Sequence, residues 1–205
     1  MLELIKEHYD LSTDPEITLE ANPDDLSKLK IKELAVSEVN RLSIGIQSFF
    51  DKDLKYMNRA HSAFEAKKSL EQATRYFDNI SIDLIYGLPH LSESEWKENL
   101  DYTFEMGIQH ISSYALTVEP KTALDHFIKT GKTTPLDEAQ SARQFEILME
   151  KMAEKGYDHY EISNFALPGF LARHNTAYWF GSPYLGVGPS AHSYDKNSRQ
   201  WNIAN

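Results

Sequence analysis

The sequence of 205 residues contains no cysteine. Without thiols the chain cannot form disulfides, build a thiolate zinc site or hold an iron–sulfur cluster through its own cysteines. It also lacks an apolar run approaching the roughly 20 residues that span a bilayer. Residues 1–8 lack the basic region and apolar core of a secretory signal peptide. These absences predict a cytoplasmic protein with no membrane span.

Basic residues are in the minority, with 21 Lys and Arg against 31 Asp and Glu and a net charge of −10. Because binding to nucleic-acid backbones depends on Lys and Arg, we expect no nucleic-acid partner. The hydrophobic fraction of 41% and the charged fraction of 25% are typical of a globular protein. A chain of this length usually forms one domain, sometimes two.

Short β-type runs alternate with helical stretches along most of the chain. Strands are predicted at residues 17–21, 41–48, 79–86 and 110–116, with a shorter run at 160–164. Helices are predicted over residues 62–76, 92–106 and 137–155, the second of them opened by a capping box of Ser92 and Glu95. The remainder is predicted to be loop-like with one more strand. Such strand–helix units imply parallel strands joined by right-handed crossovers.

Two architectures compete for this pattern, a doubly wound open sheet and a TIM-type barrel. The dinucleotide fingerprint Gly-x-Gly-x-x-Gly is missing after the first strand, which disfavours a Rossmann domain. Polar residues recur at the strand ends, where a barrel carries its active face. A complete barrel takes about 250 residues, so a barrel formed by this chain would be incomplete.

The strand-end residues Glu20, Gln47 and Asp83 would converge on one barrel mouth. They would present two carboxylates and an amide to a ligand with hydroxyl and amino groups. Arg59, in the loop after Gln47, adds a cation that could meet a ligand carboxylate. The alternative is that these residues cap helices, bond loop amides or form surface ion pairs, and the spacing alone leaves both interpretations open.

The carboxyl-terminal part of the chain contains His174, followed by Tyr178 and Trp179. A histidine beside aromatic residues could ligate a metal or haem iron, although a lone histidine is more often structural. Residues 186–192 (Gly-Val-Gly-Pro-Ser-Ala-His) weakly resemble a backbone cradle for anions, but no Lys follows. No nucleophile elbow supports Ser-His-Asp catalysis, and the catalytic residues stay unassigned.

Ordered blocks of sequence resemble a known family. They are residues 19–23 (Leu-Glu-Ala-Asn-Pro), 40–49 (Asn-Arg-Leu-Ser-Ile-Gly-Ile-Gln-Ser-Phe), 58–61 (Asn-Arg-Ala-His), 82–89 (Ile-Asp-Leu-Ile-Tyr-Gly-Leu-Pro) and 160–166 (Tyr-Glu-Ile-Ser-Asn-Phe-Ala). Together they are similar to the radical S-adenosylmethionine proteins of the oxygen-independent coproporphyrinogen III oxidase group. Within that group, His-Asn-x-x-Tyr-Trp at residues 174–179 resembles the signature of the haem chaperone branch.

The resemblance implies a partial (β/α) TIM-type barrel with S-adenosylmethionine and a [4Fe-4S] cluster at its mouth in the parent protein. It implies that Glu20, Gln47, Arg59 and Asp83 contact S-adenosylmethionine and that Ala115 lines the same region. His174 carries over as the candidate haem ligand. Residues 1–136 would form the partial barrel, and residues 137–205 the barrel end and the start of the family's C-terminal region.

The chain departs from the family pattern at its beginning. The family places a Cys-x-x-x-Cys-x-x-Cys cluster motif after its first strand and a Gly-rich block on its second, and neither occurs in this sequence. We therefore expect the first two strands to be missing. Since the cluster thiolates are absent, we expect no radical chemistry from this chain alone.

Three functions follow as alternatives. The parent could oxidatively decarboxylate coproporphyrinogen III in haem biosynthesis with an electron donor, or it could bind haem and pass it to an acceptor protein. An unrelated barrel hydrolase would instead use Glu20 and Asp83 to bind a divalent metal. A tetrapyrrole is the expected ligand of the first two. Exposed sheet edges pair readily, so we also expect a homodimer.

Overall fold

The structure, a computed structural model, describes residues 2–204. The chain divides into two compact units, Met1–Phe170 and Leu171–Asn205. The predicted boundary between residues 136 and 137 falls inside the first unit. The assignment of residues 1–136 to the partial barrel and of residues 137–205 to its end and the C-terminal region stays a prediction.

A parallel sheet forms the centre of the first unit. Its strands are β1 (Thr18–Ala21), β2 (Arg41–Gln47), β3 (Ile80–Tyr86) and β4 (His110–Ala115), each paired with the next in parallel. The four strands predicted from sequence are therefore confirmed to within a residue or two at their ends. Strands alternate with helices along the chain, so the fold is α/β, as predicted.

Helices precede, connect and follow these strands. They are α1 (Leu2–His8), α2 (Lys28–Ala35), α3 (Asp51–Tyr56), α4 (Ala63–Ala73), α5 (Glu93–Glu105), α6 (Ala123–Lys129) and α7 (Glu138–Glu154), with a short 3-10 helix at Pro23–Asp25. The predicted capping box at Ser92 and Glu95 is present, and a second one joins Ser62 to Glu65. Each box satisfies backbone N–H groups that the first turn leaves without partners.

The far end of the sheet corrects one expectation. Of residues 160–164, predicted as a strand, only Asn164 lies in one. Instead β5 (Asp158–His159) and β6 (Asn164–Ala166) form an antiparallel hairpin, and β6 pairs antiparallel with β4. Because only a few residues separate β5 from β6, no helical crossover can return the chain in the parallel direction. The strand order is β1-β2-β3-β4-β6-β5, so β1 and β5 are the edge strands of the sheet. The homodimer expected from exposed sheet edges stays a prediction.

One face of the sheet carries the hydrophobic core. Leu42, Ile44 and Ile46 alternate along β2, and each is fully buried. They belong to one apolar cluster that includes Leu70 of α4, Trp96 of α5 and Leu148 of α7. Since burial of each large apolar side chain contributes roughly 1.5–3 kcal/mol, this packing holds the helices against the sheet.

The second unit is small. It contains α8 (Arg173–Trp179), β7 (His192–Tyr194) and β8 (Arg199–Trp201), the two strands forming an antiparallel hairpin. The loop-like region with one strand expected from sequence is thus wrong in detail. A helix of seven residues shows too little periodicity to be recognised. Gly181, with a φ of 60°, follows the end of that helix.

Candidate functional site

The face of the sheet opposite the core is polar. Cross-strand partners in a parallel sheet share a face, and residues two apart along a strand do so too. Glu20 is paired with Ser43, and Ser43 with Ser81. Two residues beyond Ser81, Asp83 is paired with Ser112 of β4. The sheet therefore presents an apolar side to the helices and a row of charged and hydroxyl side chains on the other side.

Asp83 is the centre of this row. The pKa of its carboxyl is raised to about 6, mainly by burial and also by the charge of Glu20. A hydrogen bond with Ser112 and the charges of Arg41 and Arg59 act in the opposite direction. These groups therefore lie close enough to interact through a partly desolvated space. Two carboxylates and two guanidinium groups can bind a ligand that carries both signs of charge.

Gln47 and Arg59 meet at the carboxyl end of β2. Gln47 has a left-handed backbone with a φ of 66°, and the pairing register with β3 shifts between Ile44 and Gln47. A Cβ atom added to Gly45 would lie 2.9 Å from Gln47 Nε2 and 3.3 Å from Arg59 Nη2. Position 45 thus needs glycine because the amide and the guanidinium occupy the space above it. A positive φ is uncommon at residues other than glycine.

The loop that carries Arg59 is held in place by a buried network. Ser48 Oγ donates to Asp53 Oδ2 over 2.7 Å, and the Phe49 N–H donates to Asn99 Oδ1 over 2.8 Å. Burial raises the pKa of Asp53, and the bond with Ser48 opposes that change. Arg59 Nη2 then donates to Asn22 Oδ1 over 2.7 Å. The buried network holds the start of this loop, and the bond with Asn22 orients the guanidinium.

The sequence did not single out two further polar residues, Arg41 and His110, because they lie at the beginnings of β2 and β4. Arg41 is only 4% exposed, and its Nε atom has no hydrogen-bond partner among residues 2–204. Burial lowers the Arg41 pKa, whereas the charges of Glu16, Asp83 and Glu20 raise it. The alternation of Arg41 with Ser43 and Gly45 along β2 was the available signal, since it places all three on one face.

His110 is the second of these residues. Its Nδ1 lies 2.7 Å from Ser81 Oγ, and its Nε2 lies 2.7 Å from the Tyr160 hydroxyl. Burial lowers the His110 pKa to about 3, and the charge of Arg41 adds to that effect. The imidazole is therefore neutral and can donate at one nitrogen while it accepts at the other. It links β3, β4 and the turn before β6.

Ala115 does not share the polar face. It pairs with Tyr86 on the side of the sheet that packs against the hydrophobic core. The structure therefore brings Glu20, Gln47, Arg59 and Asp83 to one polar side and end of the sheet, without the Ala115 methyl group. A part for Ala115 in cofactor binding stays a prediction.

His174 lies in the second unit, on the exposed helix α8. Its ring meets the edge of the Tyr178 ring one turn later, with the centroids 4.8 Å apart. This contact orients the imidazole beside an aromatic ring, and a part for His174 in haem binding stays a prediction.

No resident iron–sulfur centre can be assigned to these residues. The sequence has no cysteine, and no three His, Asp or Glu side chains cluster as a metal site within residues 2–204. The ligands required by a [4Fe-4S] cluster are therefore not supplied by this chain. The donor set around Asp83, by contrast, matches a zwitterionic ligand that also carries hydroxyl groups.

Comparison with known proteins identifies the class. The model of the radical SAM superfamily matches residues 1–103, and the chain belongs to that superfamily. The chain also aligns with the structure of the radical SAM enzyme coproporphyrinogen III oxidase from Escherichia coli. The TM-score is 0.81 with 23% identity over 100% of this chain and 50% of that one. The expected partial barrel of the radical SAM kind is thereby confirmed.

Sequence identity is higher to proteins named haem chaperone HemW than to the oxidase structure. The chain is 38% identical to the haem chaperone HemW of Lactococcus lactis over 99% of its length, and 39% identical to that of Bacillus subtilis over 98%. These alignments cover 54% and 52% of the two relatives, so the chain spans about half their length. Within residues 2–204, no helix is both long and apolar enough to cross a membrane.

Proposed function

We propose that this chain is the haem-binding part of a radical SAM haem chaperone, which carries haem and transfers it to an acceptor protein. The observation that carries the proposal is its 38–39% identity to HemW proteins over nearly its whole length. The solved oxidase structure is only 23% identical and supports the fold alone. The comparisons thus favour the carrier over the decarboxylating enzyme that headed the sequence interpretation.

His174 is the proposed iron ligand. It is exposed on α8, and the centroid of its ring lies 4.8 Å from that of Tyr178. Trp179, the residue after Tyr178, is 59% exposed. A neutral imidazole is the commonest protein ligand of haem iron, and exposed aromatic rings can stack on the porphyrin. Transfer to an acceptor requires an accessible site, and the exposure of α8 meets that requirement.

The polar face of the sheet is the proposed S-adenosylmethionine site. Glu20 and Asp83 would bind the ribose hydroxyls or the amino group, and Arg59 the carboxylate, with Gln47 as a further hydrogen-bonding partner. The raised pKa of Asp83, about 6, shows a carboxyl group that gains from a bound cation. When bound in a radical SAM protein, S-adenosylmethionine supplies a radical precursor. This chain alone has no thiolates for the cluster that such chemistry requires.

A second candidate function is the oxidative decarboxylation of coproporphyrinogen III by the parent protein, with an external electron donor. It follows from the resemblance of the sequence blocks to the oxidase group, whereas the alignment with the oxidase structure supports the shared fold alone. Decarboxylation of coproporphyrinogen III by the full-length protein, reconstituted with iron and sulfide, would contradict a pure carrier role. Haem binding without decarboxylation would support that role.

The first experiment is a titration of this chain with haemin, followed by visible absorption. We expect a saturable change in the haem spectrum and a Kd at least tenfold weaker in His174→Ala. The matched control is His126→Ala, because His126 is an exposed histidine on a helix of the first unit. The absence of saturable binding by the wild-type chain would overturn the proposal.

A further inference from the structure

The hairpin of the second unit places a histidine and a tryptophan side by side. His192 of β7 is paired with Trp201 of β8, and their ring centroids lie 6.1 Å apart. Tyr194 is paired with Arg199, two residues along each strand. Because directly opposed residues share a face and side chains alternate along a strand, all four project from one side of the hairpin.

Two more tyrosines extend this surface. Tyr184 forms an antiparallel bridge with Tyr194, with the ring centroids 6.0 Å apart. Tyr178 of α8 meets the Tyr184 ring edge-on at 4.8 Å. Burial and Tyr184 raise the Tyr178 pKa, and the charge of Arg199 opposes them, which places the guanidinium near the same rings. We call this surface the aromatic face: it comprises Tyr178, Tyr184, His192, Tyr194, Arg199 and Trp201.

The loop before β7 holds His192 in position. The backbone of Gly186 runs so close to the His192 backbone that a Cβ atom at position 186 would clash with it. Asn202 Nδ2 donates to the Gly188 carbonyl over 2.8 Å, and the Gly186 N–H donates to Ser193 Oγ over 2.9 Å. The glycines of residues 186–192 therefore serve close backbone packing. The anion cradle considered from the sequence is not needed to explain them.

The chemistry of the aromatic face defines its ligand. Trp201 is 69% exposed, so a large flat apolar ring is presented to a partner. Arg199 forms no ion pair with any of the residues that the structure describes. The imidazole of His192 is exposed beside them. A flat aromatic surface, an unpaired guanidinium and an imidazole together match a planar macrocycle with carboxylate arms and a metal centre.

We propose that the aromatic face binds the porphyrin of haem, with His192 as an iron-ligating imidazole and Arg199 paired with a propionate. The proposal rests on the haem-carrier function above and deepens it, since it assigns a second histidine and a carboxylate partner. His174 adjoins the same surface through its ring contact with Tyr178. The second unit then carries the contacts for iron, ring and propionate by itself.

The test is a haemin titration of the whole chain and single variants. We expect His192→Ala to weaken the Kd at least tenfold and to shift the Soret band. We expect Arg199→Gln to weaken it about three- to tenfold, with a smaller difference at high salt because the ion pair is screened. Gln200→Ala is the matched control, since Gln200 lies between Arg199 and Trp201 and projects from the opposite side of β8.

A second variant separates ligation from folding. Methionine also ligates haem iron, so His192→Met should restore binding with an altered spectrum, whereas a merely structural role for His192 predicts no such signature. Wild-type affinity in both His192→Ala and Arg199→Gln, with the Kd still at least tenfold weaker in His174→Ala, would overturn this inference alone. Failure of the wild-type chain to bind haemin would overturn the carrier function itself.

Discussion

At the scale of single residues, Asp83 shows how the candidate site conflicts with stability. Its carboxyl lies on a partly buried face, with Glu20 as an unfavourable neighbour and with Arg41 and Arg59 as favourable ones. Burial outweighs the favourable contacts, because the pKa stays raised to about 6. The ionised Asp83 carboxylate is therefore held at a cost to the folded state, and the proposed cationic ligand would offset that cost.

Asp83→Asn should therefore stabilise the chain at neutral pH. The folded-state pKa of about 6 exceeds the reference value of 3.8, so the folded state holds the proton more tightly than the unfolded chain. Wild-type stability then falls as the pH rises from about 4 through 6. The variant should gain about 2 kcal/mol at pH 7.5 and close to nothing at pH 4.

Urea unfolding of both proteins at the two pH values measures this gain. Asp78, which is exposed, is replaced by Asn in the same way as the control for the substitution itself. An Asp83→Asn variant that is less stable than the wild type at pH 7.5 would contradict the electrostatic account. The variant should also lose affinity for S-adenosylmethionine if the proposed site is right.

The sequence predicted part of this site for clear physical reasons. Glu20 and Gln47 lie next to or at the ends of β1 and β2, whereas Asp83, predicted at a strand end, is in the middle of β3. Parallel pairing still brings them to one side of the sheet, because Glu20, Ser43 and Ser81 are aligned and Asp83 lies two residues beyond Ser81. Arg41 and His110 are the first residues of β2 and β4, whereas the active face of a barrel is expected at the carboxyl ends of the strands. The contact of Arg59 with Asn22 joins segments 37 positions apart, and strand and helix patterns do not encode it.

At the scale of elements, α7 fastens the loop that follows β3. The side chain of Gln144 is fully buried. Its Oε1 accepts from the Gly87 N–H and its Nε2 donates to the Leu91 carbonyl, both over 2.7 Å. The Trp96 indole donates to the Gln144 carbonyl over 2.9 Å. One residue of α7 therefore satisfies buried groups of both the β3 loop and α5.

Gln144→Leu should destabilise the first unit by about 1–3 kcal/mol, because the buried Gly87 N–H loses its partner. The Leu91 carbonyl still accepts from Gln140 Nε2 over 2.7 Å. Thermal unfolding measures the change. Glu150→Leu is the control on the same helix, because Glu150 is exposed. Equal stability of the Gln144 variant and the wild type would show that the loop does not depend on α7.

The sequence predicted long elements with a regular pattern of apolar residues correctly, whereas it did not predict the short elements. β2 and β3 have seven residues each, and their alternation or apolar content was sufficient to predict them. β5 has two residues and β6 three, so tertiary pairing with β4 and not local pattern decides their conformation. The helix α8 has the same difficulty, although it contains the histidine that the family resemblance singled out.

At the scale of the whole molecule, the absence of cysteine separates two properties of the radical SAM superfamily. The sheet and its polar face are present, whereas the thiolates that would hold a cluster are not. The proposed haem contacts come from histidine, arginine and aromatic residues of the second unit. Haem binding by this chain should therefore be independent of any iron–sulfur centre.

Reconstitution with iron and sulfide tests that independence. After anaerobic incubation and desalting, we expect this chain to retain no stoichiometric iron and sulfide and to show no iron–sulfur absorption, because imidazoles and carboxylates do not replace three thiolates. A radical SAM protein with three cluster cysteines, treated in parallel, serves as the positive control. The treated chain should then bind haemin with the same Kd as untreated chain. Cluster retention would show that other side chains can ligate the iron, and a changed Kd would show that iron or sulfide reaches the haem site. Either result would contradict the separation of the two functions, whereas unchanged haem binding would assign it to the residues that this chain does possess.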